Sequence, residues 1–503
     1  MDASFRKLFR RCVMKPYRIL IVGLVTLSLG AAQAQFDATF VPYPLSSELL
    51  WGKWGNDLRN SHYNPDAAGP TNPRLLWFLR GGLIDEPLIE PIFAGIPLLW
   101  APVHPYSTGL RFTEYLIISA AGGAVLGTLW PYWGQASTPL MLQTAVYVKT
   151  SGGDFLDFLG DWPVLVFSGG QYDVLVYSPD PLGIADLFWV GNVGVPTYRS
   201  GLTAYSDGTS GYFMLGDNTG LVSPVMMFWV VNIDNNESFP YLYIDAAINP
   251  PGMGAVYSLV GASDYSDVML STHHFGYIAG YYMQALGAPV MLGAISLAGL
   301  SRADPEDSTP ITSDICDRPA VVSSDNVTAF VCATNYGRVY ALNLLTGTKL
   351  WVAELGKPIM AGPSLGPDPL NGNEETLYVV TRSSSTRSTL VAIRASDGTV
   401  KWQRTLQNVS RCNPTIDRDG RLFIGDDRGY LYAINPDGSI LWARYLGAAI
   451  RVSPVLASIP TDAGNLDVLY VAASNRMLYA FVESTPIRIP PGGGIGTGIG
   501  GGW

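Results

Sequence analysis

The sequence predicts an all-β protein, a single β-propeller of four-stranded blades closed by an N-terminal strand. The tryptophan spacing gives eight blades, with seven and nine also compatible. Three observations carry this expectation: a strand-turn-strand unit recurring through the C-terminal half, tryptophans at blade-like intervals, and a composition suited to short strands and tight turns. Of 503 residues, 48% are hydrophobic and only 14% charged, with 55 Gly and 36 Pro, as many short strands joined by turns require.

The repeat is clearest in three segments: Gly337 to Trp351, Thr389 to Trp402 and Gly429 to Trp442. A fourth, Arg476 to Phe481, supplies the first strand with no Trp strand after it. In each, apolar and polar positions alternate as in a half-buried strand. Asp397-Gly398 and Asp437-Gly438 read as hairpin turns, because Gly accepts the positive φ these turns need, and Thr346-Gly347 fills the same place. Trp351, Trp402 and Trp442 close the last strand and are placed to wedge between neighbouring blades. Small Ala341, Ala392, Ala433 and Ala480 are expected to allow close packing near the axis. A further strand pair precedes each unit, as in Pro319 to Val322 and Ala329 to Ala333, giving four strands per repeat.

Strand-closing candidates are Trp77, Trp130, Trp189, Trp229, Trp351, Trp402 and Trp442, at gaps of 53, 59, 40, 122, 51 and 40 residues. The longest gap fits one blade without its Trp, around Tyr257 to Met283. The last unit stops near Val482, and the strand around Leu75 to Phe78 is expected to complete it, removing an open edge. Tyr115 to Val148 and Phe275 to Ser301 carry no charge. Their Gly, Pro and aromatic residues favour buried strand pairs over membrane spans, with turns at Gly122-Gly123, Pro131 and Gly287 to Pro289.

The ends read differently. Residues 1–34 form a signal peptide: six basic residues from Arg6 to Arg18, an apolar run of 11 from Ile19 to Leu29, and Ala32-Gln33-Ala34 as a cleavage site. Arg10-Arg11 leaves twin-arginine export open beside the general route, and Met14 is an alternative start. The propeller is expected over 35–485, with degenerate blades about 80–310 and clear repeats over 317–482. Residues 486–503 are a Pro/Gly-rich flexible tail.

These repeats resemble those of the pyrroloquinoline-quinone (PQQ) repeat superfamily, the quinoprotein alcohol dehydrogenase-like propellers, specifically over Asp317 to Val482. Trp51 to Pro65, followed by Asn72-Pro73 and Leu76-Trp77, looks like the lead-in that many such proteins carry. The resemblance extends to non-catalytic members, including the propeller subunit of the outer-membrane β-barrel assembly machine, a lipoprotein; here no Cys stands at the cleavage site. Enzymes of the superfamily hold PQQ in the axial funnel with calcium or a lanthanide, use an Asp base, and often carry a vicinal Cys pair. This chain has no adjacent cysteines, and no Asp, Glu and Asn set maps onto the metal site. The resemblance therefore implies no catalytic, cofactor-binding or metal residue, and no cofactor is expected, PQQ with Ca2+ being the alternative. The repeat is a structural unit that does not by itself imply the quinone.

Other constellations point to ordinary structure. Adjacent His273 and His274 would face opposite sides of a strand, and His62 and His104 are isolated. Asp154, Asp157 and Asp161 read as a solvated acidic loop, as do Asp234 to Glu237; neither has calcium-loop spacing. Asp417-Arg418-Asp419-Gly420 reads as a hairpin turn. Cys316 and Cys332 could pair across strands or, with Cys412, be buried thiols. Between Leu88 and Thr309 stand 18 acidic residues and four basic ones, which excludes nucleic acid as a natural partner. The function expected is an exported, non-catalytic propeller scaffold, periplasmic or at the cell surface, mediating protein-protein or cell-envelope interactions. It should be monomeric, with no transmembrane segment in the mature chain. The alternatives are a PQQ-dependent dehydrogenase and a carbohydrate-binding or carbohydrate-processing propeller.

Overall fold

The computed structural model describes strands between Asp37 and Glu483. It describes side chains over residues 55–80, 97–103, 116–128 and 318–484, with single positions such as Gly347 excepted. The signal-like segment, the Gly-rich tail, Trp130, His104, His274 and Cys316 lie outside the described residues. The described strands form eight antiparallel sheets, six of four strands and two of five. No described helix is long and apolar enough to cross a membrane. The fold is a β-propeller built of consecutive meanders.

The three clear repeats give three such sheets. Their fourth strands are Thr348–Glu354, Val400–Thr405 and Ile440–Tyr445, which hold Trp351, Trp402 and Trp442. First strands of neighbouring sheets touch one another, so they line the axis. The burial gradient agrees. First strand Thr415–Ile416 is fully buried, whereas Ile440–Tyr445 alternates exposed and half-buried residues. Buried side chains of adjacent sheets interleave between the blades; Val321, Phe330 and Val339 of one sheet pack with Leu365, Leu377 and Val391 of the next. Burial of that apolar surface is the main force holding neighbouring sheets together.

The ring closes as the sequence suggests. Strand Pro73–Arg80 pairs antiparallel with Met477–Glu483 and becomes the fourth strand of the last sheet, with Trp77 opposite Ala480. The blade without a closing Trp is also present, as a five-stranded sheet from Ala255–Ser258 to Arg302–Ala303.

Three expectations need correction. Trp229 lies in Val225–Asn232, paired on both sides, and so sits in a third strand and closes nothing. Trp spacing records only that a Trp recurs, not which strand holds it. Asp157 and Asp161 belong to the long strand Phe155–Gly169, not to an acidic loop. The four alanines are in third strands, away from the axis, directly opposite the tryptophans: Ala341 faces Trp351, Ala392 faces Trp402 and Ala433 faces Trp442.

Candidate functional site

The cross-strand register explains why the alanines are small. With only a methyl group opposite it, each indole can lean over the third strand toward an aromatic ring on the second. Trp351 lies 5.8 Å from Phe330, Trp402 5.9 Å from Tyr378, Trp442 6.0 Å from Phe423 and Trp77 5.8 Å from Tyr470. Such tilted pairs add to area burial. The indole N–H then reaches the next sheet. Trp351 Nε1 donates to the Ala395 carbonyl at 2.9 Å, Trp402 to Pro436 at 2.7 Å and Trp77 to Ala120 at 3.0 Å. Each acceptor belongs to the turn before the next sheet's fourth strand.

Glycine is required at all three of these turns, Gly123 with a φ of 71° among them. Gly398 and Gly438 have φ of 76° and 80°. A Cβ on Gly398 would stand 2.6 Å from the Trp351 ring, and one on Gly438 2.7 Å from the Trp402 ring. The Asp-Gly turn is therefore a seat for the neighbour's indole as well as a reversal of the chain. Asp397 and Asp437 brace it by accepting from the backbone N–H of Thr399 and Ser439 at 2.9 Å and 2.8 Å. Trp351 on Gly398, Trp402 on Gly438 and Trp77 on Gly123 thus repeat one inter-blade lock, whereas Trp442 reaches the Pro70 carbonyl and Gly347 lies outside the described residues.

A second feature was not legible in the repeat. The lead-in, residues 59–70, runs as a strap along the free inner edges of four successive first strands. Val322 N–H donates to the Arg59 carbonyl, Leu365 to Ser61 and Ile416 to His62. The Asn64 side chain donates to the Leu456 carbonyl at 2.6 Å. Tyr63 and Ile416 form a parallel bridge. Asn60, Ser61, His62 and Asn64 are all buried. Burial of such groups is tolerated because they are hydrogen-bonded. Asn60 Nδ2 donates to Ala320 O at 3.1 Å, and His62 Nε2 lies 2.9 Å from Asn413 Nδ2. The strap leaves the axis where Trp442 Nε1 donates to the Pro70 carbonyl at 2.8 Å, just before the closing strand.

Asp417 anchors that exit. Its hairpin is the turn expected, and its carboxylate is completely buried. Oδ1 accepts from the N–H of Asp419 and Arg421 at 3.0 Å and 2.8 Å, and Oδ2 from Gly69 at 2.9 Å. Arg421 Nε lies 2.9 Å from Oδ2, off the N–H direction, so the contact is an ion pair and not a hydrogen bond. Burial pushes the Asp417 carboxyl up to about 6, with Arg421 and the backbone donors opposing. Cys332 and Cys412 are both buried. Burial pushes the Cys412 thiol up to about 11.

Among the described residues, no three His, Cys, Asp or Glu side chains gather as a metal-ligand set. Along the described inner edges, Asn413 meets His62 of the strap, while Thr415 Oγ1 donates to the Pro454 carbonyl of the next sheet's approach.

Comparison with known proteins agrees with this architecture. The family model described as outer membrane protein assembly factor BamB matches residues 335–485. Outer membrane protein assembly factor BamB of Moranella endobia (strain PCIT) is 25% identical over 173 residues, 34% of this chain and 38% of its own length. The chain thus spans well under half of that curated relative. Among solved structures, Saccharomyces cerevisiae Sqt1 superposes with a TM-score of 0.53 at 11% identity, covering 83% of this chain and 100% of that one. At that identity the likeness is one of fold. A europium-containing methanol dehydrogenase superposes with a TM-score of 0.46 at 12% identity, over 86% of this chain and 98% of its own. With its repeated sheets, its indole locks and its closing strand, the chain is a β-propeller whose residues 335–485 match that family model.

Proposed function

We propose that this protein is an exported, non-catalytic propeller scaffold of the cell envelope that holds protein partners. The observation that carries this reading is the strap. Asn60, His62, Asn64, Asn413 and Asp417, the polar side chains best placed to serve a ligand along the described inner edges, hold chain to chain instead. The match of residues 335–485 to an assembly factor supports the same reading, as does the signal-like N-terminal segment. Rigid blades with loop-built ends suit partner binding.

The test is titration of the full chain with PQQ and calcium, following thermal stability and quinone absorbance, with dye-linked oxidation of alcohols and sugars alongside. A ligand specific to the folded state at a hundred times its Kd stabilises by about 2.7 kcal/mol. No shift and no dye reduction are expected. A saturable shift with a change in quinone absorbance would overturn the proposal.

A further inference from the structure

A four-stranded meander puts the turn between its second and third strands, and the link to the next sheet, at one end of the propeller. The other two turns lie at the opposite end. Applied to the described C-terminal sheets, this topology separates charge.

The link end is basic. Its second-to-third turns carry Arg338, Arg382, Arg387, Arg428 and Arg476, and the links between sheets carry Lys357, Arg411 and Arg451. Arg80 adds to this end from the closing strand, where it lies opposite Met477. Lys357, Arg382, Arg387, Arg411, Arg428 and Arg451 are exposed. Among the described residues, the acids here are few. Glu354 pairs with Arg338 at 3.4 Å. Asp427 is shared by Arg411 and Arg451 at 2.9 Å and 3.1 Å, so one carboxylate faces two guanidiniums. Asp426 is buried and accepts from the Tyr432 hydroxyl. The opposite end is acidic, with Asp325, Asp397, Asp419, Asp437, Asp462 and Glu483 all exposed.

The turns and links at the basic end form one joined surface. Arg382 N–H donates to Pro358 O, Asp427 N–H to Val409 O, Ile450 N–H to Asp426 O and Ser474 N–H to Ala449 O. The backbone carrying the cations is therefore held in place. The charge is spread over turns and links of four sheets, at one to two residues each, and not gathered along one groove. That array matches a plane of anions better than a single acidic peptide. Eight of the nine cations are arginines, whose guanidinium forks pair two phosphate oxygens at once.

We propose that the link end of the C-terminal blades docks on an anionic phospholipid surface, with the propeller axis upright and the acidic end turned away. This rests on the reading of the chain as an envelope scaffold and names the surface it sits on. Each basic side chain near a headgroup plane contributes about five-fold in partitioning at moderate salt.

The test is co-sedimentation of the full chain with phosphatidylglycerol–phosphatidylcholine vesicles and with phosphatidylcholine vesicles alone, at low and high salt. Binding is expected only with phosphatidylglycerol, weakening as salt shortens the screening length. Arg382→Gln with Arg387→Gln and Arg428→Gln removes three exposed cations that form no ion pair with a described residue. It should lower partitioning on the order of a hundred-fold with an unchanged melting temperature. Lys349→Gln with Arg74→Gln, at the other end, should leave binding unchanged. Equal binding to phosphatidylcholine, or a triple variant that binds as well as the parent, overturns the proposal. So does lipid-free association that the triple variant abolishes, which would make the acidic end of a second copy the occupant. Failure of vesicle binding with a negative PQQ titration removes this inference and leaves the scaffold reading intact.

Discussion

The indole lock can be tested with a built-in control. Gly438 and Gly447 have nearly the same φ, 80° and 86°. They differ in surroundings. A Cβ on Gly438 meets the Trp402 ring at 2.7 Å, whereas one on Gly447 meets nothing within 4 Å. Gly447→Ala therefore registers only the left-handed backbone penalty, about 1–2 kcal/mol. Gly438→Ala adds displacement of the indole. Its hydrogen bond to Pro436 is worth about 1 kcal/mol, and the forced repacking about 1–3 kcal/mol. The excess of Gly438→Ala over Gly447→Ala should be about 2–4 kcal/mol, read from urea unfolding midpoints at a common slope. In a Trp402→Ala background the excess should vanish, since the two residues then no longer interact. Equal destabilisation by the two glycine variants, or an excess that survives loss of Trp402, would refute the lock.

Asp417 gives a pH signature. Its folded pKa, about 6, stands above the unfolded value near 4, so the stability it contributes is complete below about pH 4 and is lost as pH rises through about 6. Between pH 7 and pH 5 it adds about 1.3 kcal/mol of stability, an increment that Asp417→Asn should lack in paired melting curves; identical pH dependence would contradict the assignment. Asn64→Ala removes the bond to Leu456 and the two that its Oδ1 accepts from Asp66 and Ala67. It should destabilise by about 2–4 kcal/mol and make the strap newly sensitive to protease; a loss below about 1 kcal/mol would mean that the strap bears little. Cys412, buried with its thiol pushed up to about 11, should resist iodoacetamide at pH 8 in the native protein and react once unfolded. Mass spectrometry of its peptide decides this, and rapid native labelling would count against the packing described.

The parts of the fold that depend on local chemistry were legible. Asp397-Gly398 and Asp437-Gly438 announce their turns, and the incomplete last repeat announces a missing fourth strand that Leu75 to Phe78 fills. What the repeat could not show is which strand holds a given residue. Trp229 has the right spacing and the wrong strand, and Ala341 has the right size for a different reason, since it makes room for Trp351 across the pair. The strap was invisible because Asn64 and Leu456 are 392 residues apart and nothing in either segment names the other. The basic end was hidden differently. Arg382, Arg411 and Arg451 look unremarkable in a chain of net charge −10, and they become a set only when the meander brings alternate connections to one end.

The strap also imposes an order of events on the nascent chain. Residues 59–70 leave the ribosome well before the edges they bind, which lie between Val322 and Leu456. Until then the segment has no template, and the last sheet lacks its outer strand. Contacts this distant in sequence form slowly, and they leave unpaired edges open to wrong partners in the interval. Completion of the ring therefore waits for the last sheet, and a chain interrupted before Met477 would retain Pro73–Arg80 without its partner strand.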